Sequence, residues 1–409
     1  MTLTPRTTDK PQLGLPRSLV LVFAVACGLS VANLYYAQPI LGTIVKSFGT
    51  SPATAGLVVT FSQIGYAAGL AFLVPLGDLV SRRRLVPLVL AVTAVGLVVS
   101  ALAPGIGVLI AVALVVGCGS VVAQVLVPMA ASLATEEYRG RVVGNVMSGL
   151  LLGILLARTV SGLVAGVASW RAVYVMAAVL TVAMAVVLGR VLPPEHPRPR
   201  IRYRTLLATA ARLLATERLL QRRALFGALG FAAFSVFWTT MAFMLAGAPY
   251  HYGDITIGLF GLVGAAGALC ANIAGRWADR GVTGLTTLAF ALCVCVSFVP
   301  LWFGLHNLAL LIVGILVLDV GVQGLQVTNQ SLIYGIGHDV RSRVNSAYMV
   351  CYFVGGALGS AIGASVYDSH RWAGVCVVGA AIGLLATAGA VLDGRRRGFV
   401  EARRGAPAA

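Results

Sequence analysis

Asp319, Gln323, Gln326 and Gln330 follow one another at spacings of four, three and four residues inside the stretch Leu316 to Gln330. That spacing lays all four on one face of a helix. Asp319 is the one acid that falls deep within an apolar run, and Arg158 the one basic residue that does so. Removal from water favours a neutral carboxyl, and a neighbouring guanidinium favours the carboxylate. An acid balanced between those two influences takes up a proton in one environment and releases it in another. Asp319 therefore reads as a proton carrier, a fixed structural ion pair or a direct substrate contact. Arg158 reads as a counter-ion for a carboxylate or an anionic substrate, or as a helix-bridging arginine bonded to carbonyls.

The elements that position these residues follow from composition. Hydrophobic residues make up 59% of the 409 and charged residues 11%, with a mean hydropathy of +0.93. Soluble proteins carry roughly 25% charged residues, so this is a polytopic membrane protein embedded in a lipid bilayer. The net charge of +17 does not imply nucleic acid, because the arginines sit in short loops between apolar spans, as positive-inside topology requires. Arginine outnumbers lysine 28 to two, which points to a GC-rich bacterial genome and hence to the bacterial inner membrane. All seven cysteines lie in apolar runs with no metal-ligand spacing to a histidine, so they read as packing residues and no metal or cofactor is expected. Ala24 to Cys27 loosely imitates a lipoprotein cleavage site, but the apolar run continues beyond it and reads as a first span.

Two apolar blocks flank a basic stretch, Pro193 to Arg223, that holds eight arginines and two acids. Residues recur between the blocks at an offset of 202: Gly56 and Gly258, Gly65 and Gly267, Gln124 and Gln326, Arg139 and Arg341, Gly153 and Gly355, Trp170 and Trp372. This is an internal duplication, an arrangement that secondary transporters place around a midplane site. The apolar runs predict an all-α protein with twelve spans, at about 18–41, 53–76, 85–103, 106–134, 143–168, 172–191, 224–247, 256–275, 284–304, 307–336, 344–367 and 372–392. The expected organisation is a cytoplasmic tail (1–17), a six-helix half (18–191), a basic cytoplasmic linker (192–223), a second six-helix half (224–392) and a cytoplasmic tail (393–409). Within the linker, Thr205 to Leu220 has the pattern of an amphipathic helix lying along the membrane surface. Arginine-rich loops alternate with loops carrying only Lys46, Arg171 and Arg371, so both termini are expected to be cytoplasmic.

Small residues at four-residue spacing, such as Gly65 with Gly69, Gly149 with Gly153, and Gly355 with Gly359, mark close helix packing in the second, fifth and eleventh spans. Polar side chains that interrupt apolar runs are cavity candidates. In the first span these are Asn33, Tyr35, Tyr36 and Gln38; in the seventh they are Ser235, Trp238, Thr239 and Thr240. The same aromatics also suit an interfacial belt. The duplicated Gln124 and Gln326 line a pathway or bridge helices by hydrogen bonds.

The loop PLGDLVSRRRL, Pro75 to Leu85, resembles the loop signature of the major facilitator superfamily. Asp78, Arg82 and Arg83 fall on its acidic and two basic positions, while Val74, Leu79 and Ser81 depart from it. A second copy, GRWADRG from Gly275 to Gly281, supplies Gly275, Asp279 and Arg280 and lacks the trailing basic pair. The resemblance implies alternating access between two six-helix halves, with the first, fourth, seventh and tenth spans lining the cavity. It also implies a cytoplasmic latch, in which Asp78 meets the positive N-terminal end of the eleventh span and pairs with Arg82. The other reading of Asp78 is a solvated loop. Met147 to Gly162 (MSGLLLGILLARTVSG) resembles the fifth-span signature of the drug/proton antiporter branch at Gly153 and Gly162, with departures at Ala157, Arg158 and Ser161. The fourth-span arginine often found in that branch is absent from Val115 to Gln124.

No G-x-S-x-G elbow, phosphate-binding loop or His-x-x-x-His pair occurs, and the five histidines lie in or beside loops, so an enzyme or an ATP-driven pump is not expected. A receptor or scaffold fits less well than a transporter, because the duplication and the polar midplane residues describe a pathway. The sequence thus reads as a monomeric secondary transporter, with proton-coupled efflux of a small hydrophobic drug or metabolite set against transport of a sugar-like or anionic solute. We expect reporter fusions at both termini and within Pro193 to Arg223 to report the cytoplasm; an external linker would overturn the repeat reading too.

Overall fold

The chain is seen in a computed structural model that describes residues 15–193, 202–278, 283–337 and 340–404. Among these residues there are helices and connecting turns and no strand. The first six spans are Arg17–Ala32, Pro52–Leu76, Arg82–Ala101, Ile106–Leu133, Arg139–Val167 and Trp170–Val191. The next four are Arg218–Ala246, Asp254–Ala278, Thr283–Phe303 and Leu308–Ile333. The eleventh and twelfth form the run Arg341–Arg404, divided at Arg371, whose φ of 55° breaks the helix. Lipid offers backbone groups no partner, so helices that satisfy their own N–H and C=O groups are what an apolar span must form. Hydroxyls inside the spans are satisfied in the same local way. Thr93 donates to Val89 O at 2.8 Å, Ser100 to Gly96 O at 2.9 Å and Thr181 to Ala177 O at 2.7 Å.

Three boundaries differ from the sequence expectation. Regular helix in the first span stops at Ala32, and Asn33 to Ala37 form a turn before a 3-10 segment, Gln38–Ile40, and a short helix, Leu41–Phe48. Pro39 has no N–H to donate and helps break the run there. Gly49, at φ 60°, caps the short helix in the left-handed region that glycine enters without steric cost. The linker helix covers Tyr203–Thr216, and its Tyr203 hydroxyl donates to Phe72 O of the second span at 2.9 Å. The seventh helix then starts at Arg218, earlier than the apolar run. The cause is tertiary: Arg223 is fully buried and donates to Asp393 at 2.7 Å and Thr287 at 2.9 Å, and Arg222 takes the other Asp393 oxygen at 2.7 Å. Paired guanidinium groups can enter a helix that unpaired ones could not. The expected linker, 192–223, placed both arginines in the loop; they belong to the seventh helix.

The duplication is visible in the packing. In the first half the first span packs on the fifth, the second on the fourth and the third on the sixth; the seventh on the eleventh, the eighth on the tenth and the ninth on the twelfth repeat this. Gly153 meets the backbone of Gly28, and its repeat partner Gly355 meets the backbone of Ala228. A bare Cα lets the helices approach where no hydrophobic drive assembles them.

The halves meet where the second span crosses the eleventh and where the fifth crosses the eighth. Toward one end of the bundle, the end that holds the Leu41–Phe48 helix, Gly56 packs on Ala364 and Gly258 on Gly162. The offset of 202 converts Gly56 into Gly258 and Gly162 into Ala364, so these are one contact made twice. Each crossing also carries a hydroxyl bonded to the glycine carbonyl: Thr159 to Gly258 O at 3.1 Å and Ser360 to Gly56 O at 3.4 Å. Thr43 sits within 2.7 Å of both carboxylate oxygens of Asp254, tying the turn after the first span to the start of the eighth span. The two halves are therefore closed on each other at this end.

A Cβ added at Gly153 would land on the Gly28 backbone, whereas one at Gly107 meets nothing within 4 Å. We expect Gly153→Ala to lose ~1–3 kcal/mol of stability, read as a lower thermal midpoint in detergent, with Gly107→Ala unchanged or slightly stabilised.

Candidate functional site

Arg158 and Asp319 come together against a third residue, Trp238. The Arg158 guanidinium lies over the Trp238 ring, 3.9 Å from its centroid, and 4.8 Å from the Tyr35 ring. Arg158 Nε donates to Gln38 Oε1 at 2.8 Å. At the ring edge, Trp238 Nε1 donates to Asp319 Oδ1 at 3.2 Å. The indole thus touches both charges, one on its face and one at its N–H. Arg158 is 4% exposed and Asp319 3%, so both charges depend on this company. The fifth and first spans supply Arg158, Tyr35 and Gln38 from one half, and the seventh and tenth supply Trp238 and Asp319 from the other. The site therefore bridges the two halves of the fold.

Local structure explains how each side chain gets there. The break after Ala32 puts Tyr35 in a turn and Gln38 at the start of the 3-10 segment, so neither side chain keeps to the face of the preceding helix. Ser161 donates to Tyr36 O at 2.6 Å and fixes that turn to the fifth span, one turn beyond Arg158. The eighth span is glycine on the side that faces the charges. A Cβ at Gly261 would lie 2.8 Å from Arg158 Cβ, and one at Gly264 would lie 2.5 Å from both Asp319 Oδ2 and the Trp238 ring. In the first half the equivalent contact sets Ser62 against Gly117, the residues that the offset of 202 relates to Gly264 and Asp319. The glycine has changed sides, and the space it leaves in the second half holds a carboxyl group.

Among the described residues, Arg158 Nη2, Gln38 Nε2 and Asn33 Nδ2 have no hydrogen-bond partner, although all three atoms are buried. Arg158 and Gln38 are already bonded to each other, so their two remaining donors belong to one cluster. That cluster can accept an oxygen or an anionic group of a ligand and can hold or release a proton at Asp319.

The other predicted residues spread around this centre. Ser235 accepts from Gln63 Nε2 at 3.2 Å, a bond between the halves, and Thr239 donates to Ser360 at 3.1 Å. Gln124 donates to the Tyr66 hydroxyl at 3.3 Å, and Gln326 accepts from the Tyr348 hydroxyl at 2.7 Å. Both duplicated amides thus bridge neighbouring helices through a phenol. The four-residue stripe of the tenth span splits: Asp319 is buried beside Trp238, while Gln323, Gln326 and Gln330 are half-buried, and Gln330 meets Met349 Sδ at 3.8 Å. Asp78 accepts from Arg82 Nη2 at 3.1 Å, Arg82 also donates to Gly77 O, and Arg83 is exposed. Gly275 lies near the end of the eighth helix, and Asp279 and Arg280 lie outside the described residues.

Sequence reasoning missed Gln63, Phe234 and the Thr43–Asp254 contact. Gln63 is a buried amide in an apolar run, but its counterpart at the offset of 202 is Ala265, so the repeat did not mark it as it marked Gln124 and Gln326. Phe234, 5.6 Å from Arg158, had no signal beyond its apolarity. Asp254, as the first residue of a span, was visible as an acid at a helix N-terminus.

Comparison with known proteins agrees with this architecture. Residues 21–336 match the model of the Major Facilitator Superfamily. The chain is 48% identical over 376 residues to the putative uncharacterized transporter YgaY of Escherichia coli (strain K12), covering 92% of this chain and 95% of that protein. It is 34% identical over 372 residues to the probable transporter SCO4007 of Streptomyces coelicolor, covering 90% of this chain and 86% of that one. Its fold is similar to the crystal structure of a mutant of the nucleoside transporter NupG, with a TM-score of 0.74 at 14% identity, over 91% of this chain and 99% of that chain. A bacterial homolog of the human lysosomal transporter Spinster, inward-facing and unoccupied, superposes with a TM-score of 0.72 at 14% identity, over 94% and 99%. The chain is thus a multi-pass membrane transporter rather than an enzyme, and it belongs to the Major Facilitator Superfamily.

Proposed function

We propose that this transporter couples export of a small hydrophobic drug or metabolite to proton entry across the bacterial inner membrane, working as a monomer with both termini cytoplasmic. One observation carries the reading: the buried acid and the buried base lie on opposite halves and touch the same indole, the base on its face and the acid at its N–H edge. Rocking of the halves about the midplane would part Arg158 from Trp238 and change the surroundings of Asp319. An intramembrane acid whose surroundings differ between access states can load a proton on one side and unload it on the other. With both termini cytoplasmic, the closed end of the bundle is the outer one, and Arg158, stacked on the opposite half, contributes to that closure. Separating the halves exposes Asp319 to the outer side, where protonation would favour return. At the other face, the Asp78–Arg82 pair would serve as the latch of the alternate state.

A second reading is favoured by the uncommitted donors. Arg158 Nη2 and Gln38 Nε2 suit a substrate that carries a carboxylate or another acceptor, held against the Tyr35 and Trp238 rings. Counterflow in inverted vesicles under an imposed pH gradient separates this solute class from neutral hydrophobic substrates.

Asp319→Asn keeps the hydrogen bond to Trp238 available but cannot carry a proton. We expect it to abolish gradient-driven transport while leaving substrate binding or downhill exchange measurable; full gradient-driven transport would remove Asp319 as the carrier. Arg158→Ala leaves Gln38 and the Trp238 face without their partner, and should weaken substrate binding by ~1–3 kcal/mol, about 5- to 150-fold. Normal transport by both Arg158→Ala and Arg158→Lys would reduce Arg158 to a structural residue.

A further inference from the structure

A groove of about 770 Å³ runs along the outside of the first half, between the first and fifth spans, with Leu180 of the sixth at its edge. It is separate from the site above. Arg158 lies about 200° around the fifth helix from Leu156, which lines the groove, so the two side chains leave opposite faces. The groove wall is open to the surroundings: Leu21 is 64% exposed, Val25 43%, Leu152 55% and Leu156 47%. In a membrane these four side chains face lipid.

The lining changes character along its length. Arg17 and Arg141 stand at one end, and no acid is among the described lining residues. Next come Asn145 and Ser148, polar and exposed, on the turns above Arg141. Beyond them the walls are Leu21, Val25, Leu152 and Leu156, and the floor is the close approach of Gly28 to Gly149 and Gly153. At 1.5 Å per residue, the stretch from Arg17 to Ala32 extends about 22 Å, longer than one leaflet of a ~30 Å hydrocarbon core. Charge, then polar groups, then an apolar trough is the order in which a phospholipid presents its phosphate, its esters and its chain.

We infer that this groove binds an anionic phospholipid, with the phosphate between Arg17 and Arg141 and one acyl chain lying over the glycine floor. Occupancy would bear on the transport cycle, because the first span that meets the fifth on that floor leads into Tyr35 and Gln38, and the fifth carries Arg158.

Native mass spectrometry of the delipidated full-length protein, titrated with phosphatidylglycerol or phosphatidylcholine, tests the assignment. The wild type should retain phosphatidylglycerol preferentially. Arg17→Ala and Arg141→Ala should each weaken retention about fivefold, and the double variant about thirtyfold, equivalent to ~1 kcal/mol per arginine near an anionic headgroup. Leu152→Trp, which fills the trough without touching charge, should also lose the lipid. Arg190→Ala, at the end of the sixth span and outside the groove, should retain it. Equal retention of both lipids, undiminished phosphatidylglycerol binding by the double variant or by Leu152→Trp, or an equal loss in Arg190→Ala would overturn the site. So would a dimer that dissociates with the groove substitutions, since the occupant would then be a second copy of the chain.

Discussion

A guanidinium removed from water must find acceptors, opposite charge or π-electron density close at hand, and in this fold Arg158 gathers its company from both sides of the boundary between the halves. Gln38 and Tyr35 come from its own half, while Trp238 and Phe234 come from the other. An unaccompanied charge at that depth costs at least ~2.5–3.5 kcal/mol on insertion scales. The arrangement around Arg158 is therefore conditional on the halves being closed there. Any state that separates them must offer Arg158 another partner, and a substrate acceptor, water or Asp319 can take that place.

The internal repeat shows which contacts are general to the fold and which are particular to this chain. Gly56 on Ala364 and Gly258 on Gly162 obey the repeat, and together they close the halves on each other at one end. The two deeply buried charges of the site sit where the repeat is broken. At the offset of 202, Arg158 corresponds to Ser360 and Asp319 to Gly117. One half of each pair keeps a small residue that fits a tight crossing, and the other carries a charge. Asp319 is accommodated because Gly264 yields the space that Gly117 supplies in the first half. A symmetric scaffold thus acquires an asymmetric pair of buried charges from two substitutions and one relocated glycine.

Charge pairing also anchors the side of the second half remote from that site. Arg222 and Arg223 share the two oxygens of Asp393, joining the start of the seventh span to the end of the twelfth. Since the seventh span carries Trp238, the anchor fixes the helix that both buried charges touch. Meanwhile most hydroxyls inside the described spans bond to carbonyls three or four residues back in their own helix, and the cross-half bonds of Gln63, Thr159, Ser360 and Thr43 are polar contacts sensitive to rocking.

Composition and hydropathy were enough to read an all-α, twelve-span protein, because a bilayer permits few solutions for a chain this apolar. The repeat was legible in the residues shared at one offset, and Arg158 and Asp319 stood out because ionisable groups are rare inside spans. The loop around Asp78 carried the family. Other features depend on how helices cross, which no local pattern contains. The tenth-span stripe reads as one polar face, yet crossing geometry sends Asp319 to Trp238 and Gln326 to Tyr348. The first span reads as continuous, yet it breaks at Asn33 and turns Gln38 onto Arg158. Trp238 was a cavity or belt residue by sequence and is the bridge between the charges in the fold. Hydropathy and periodicity are sums over neighbours in the chain; a contact between halves is decided by the relative placement of two rigid bodies, and only the tertiary structure contains it.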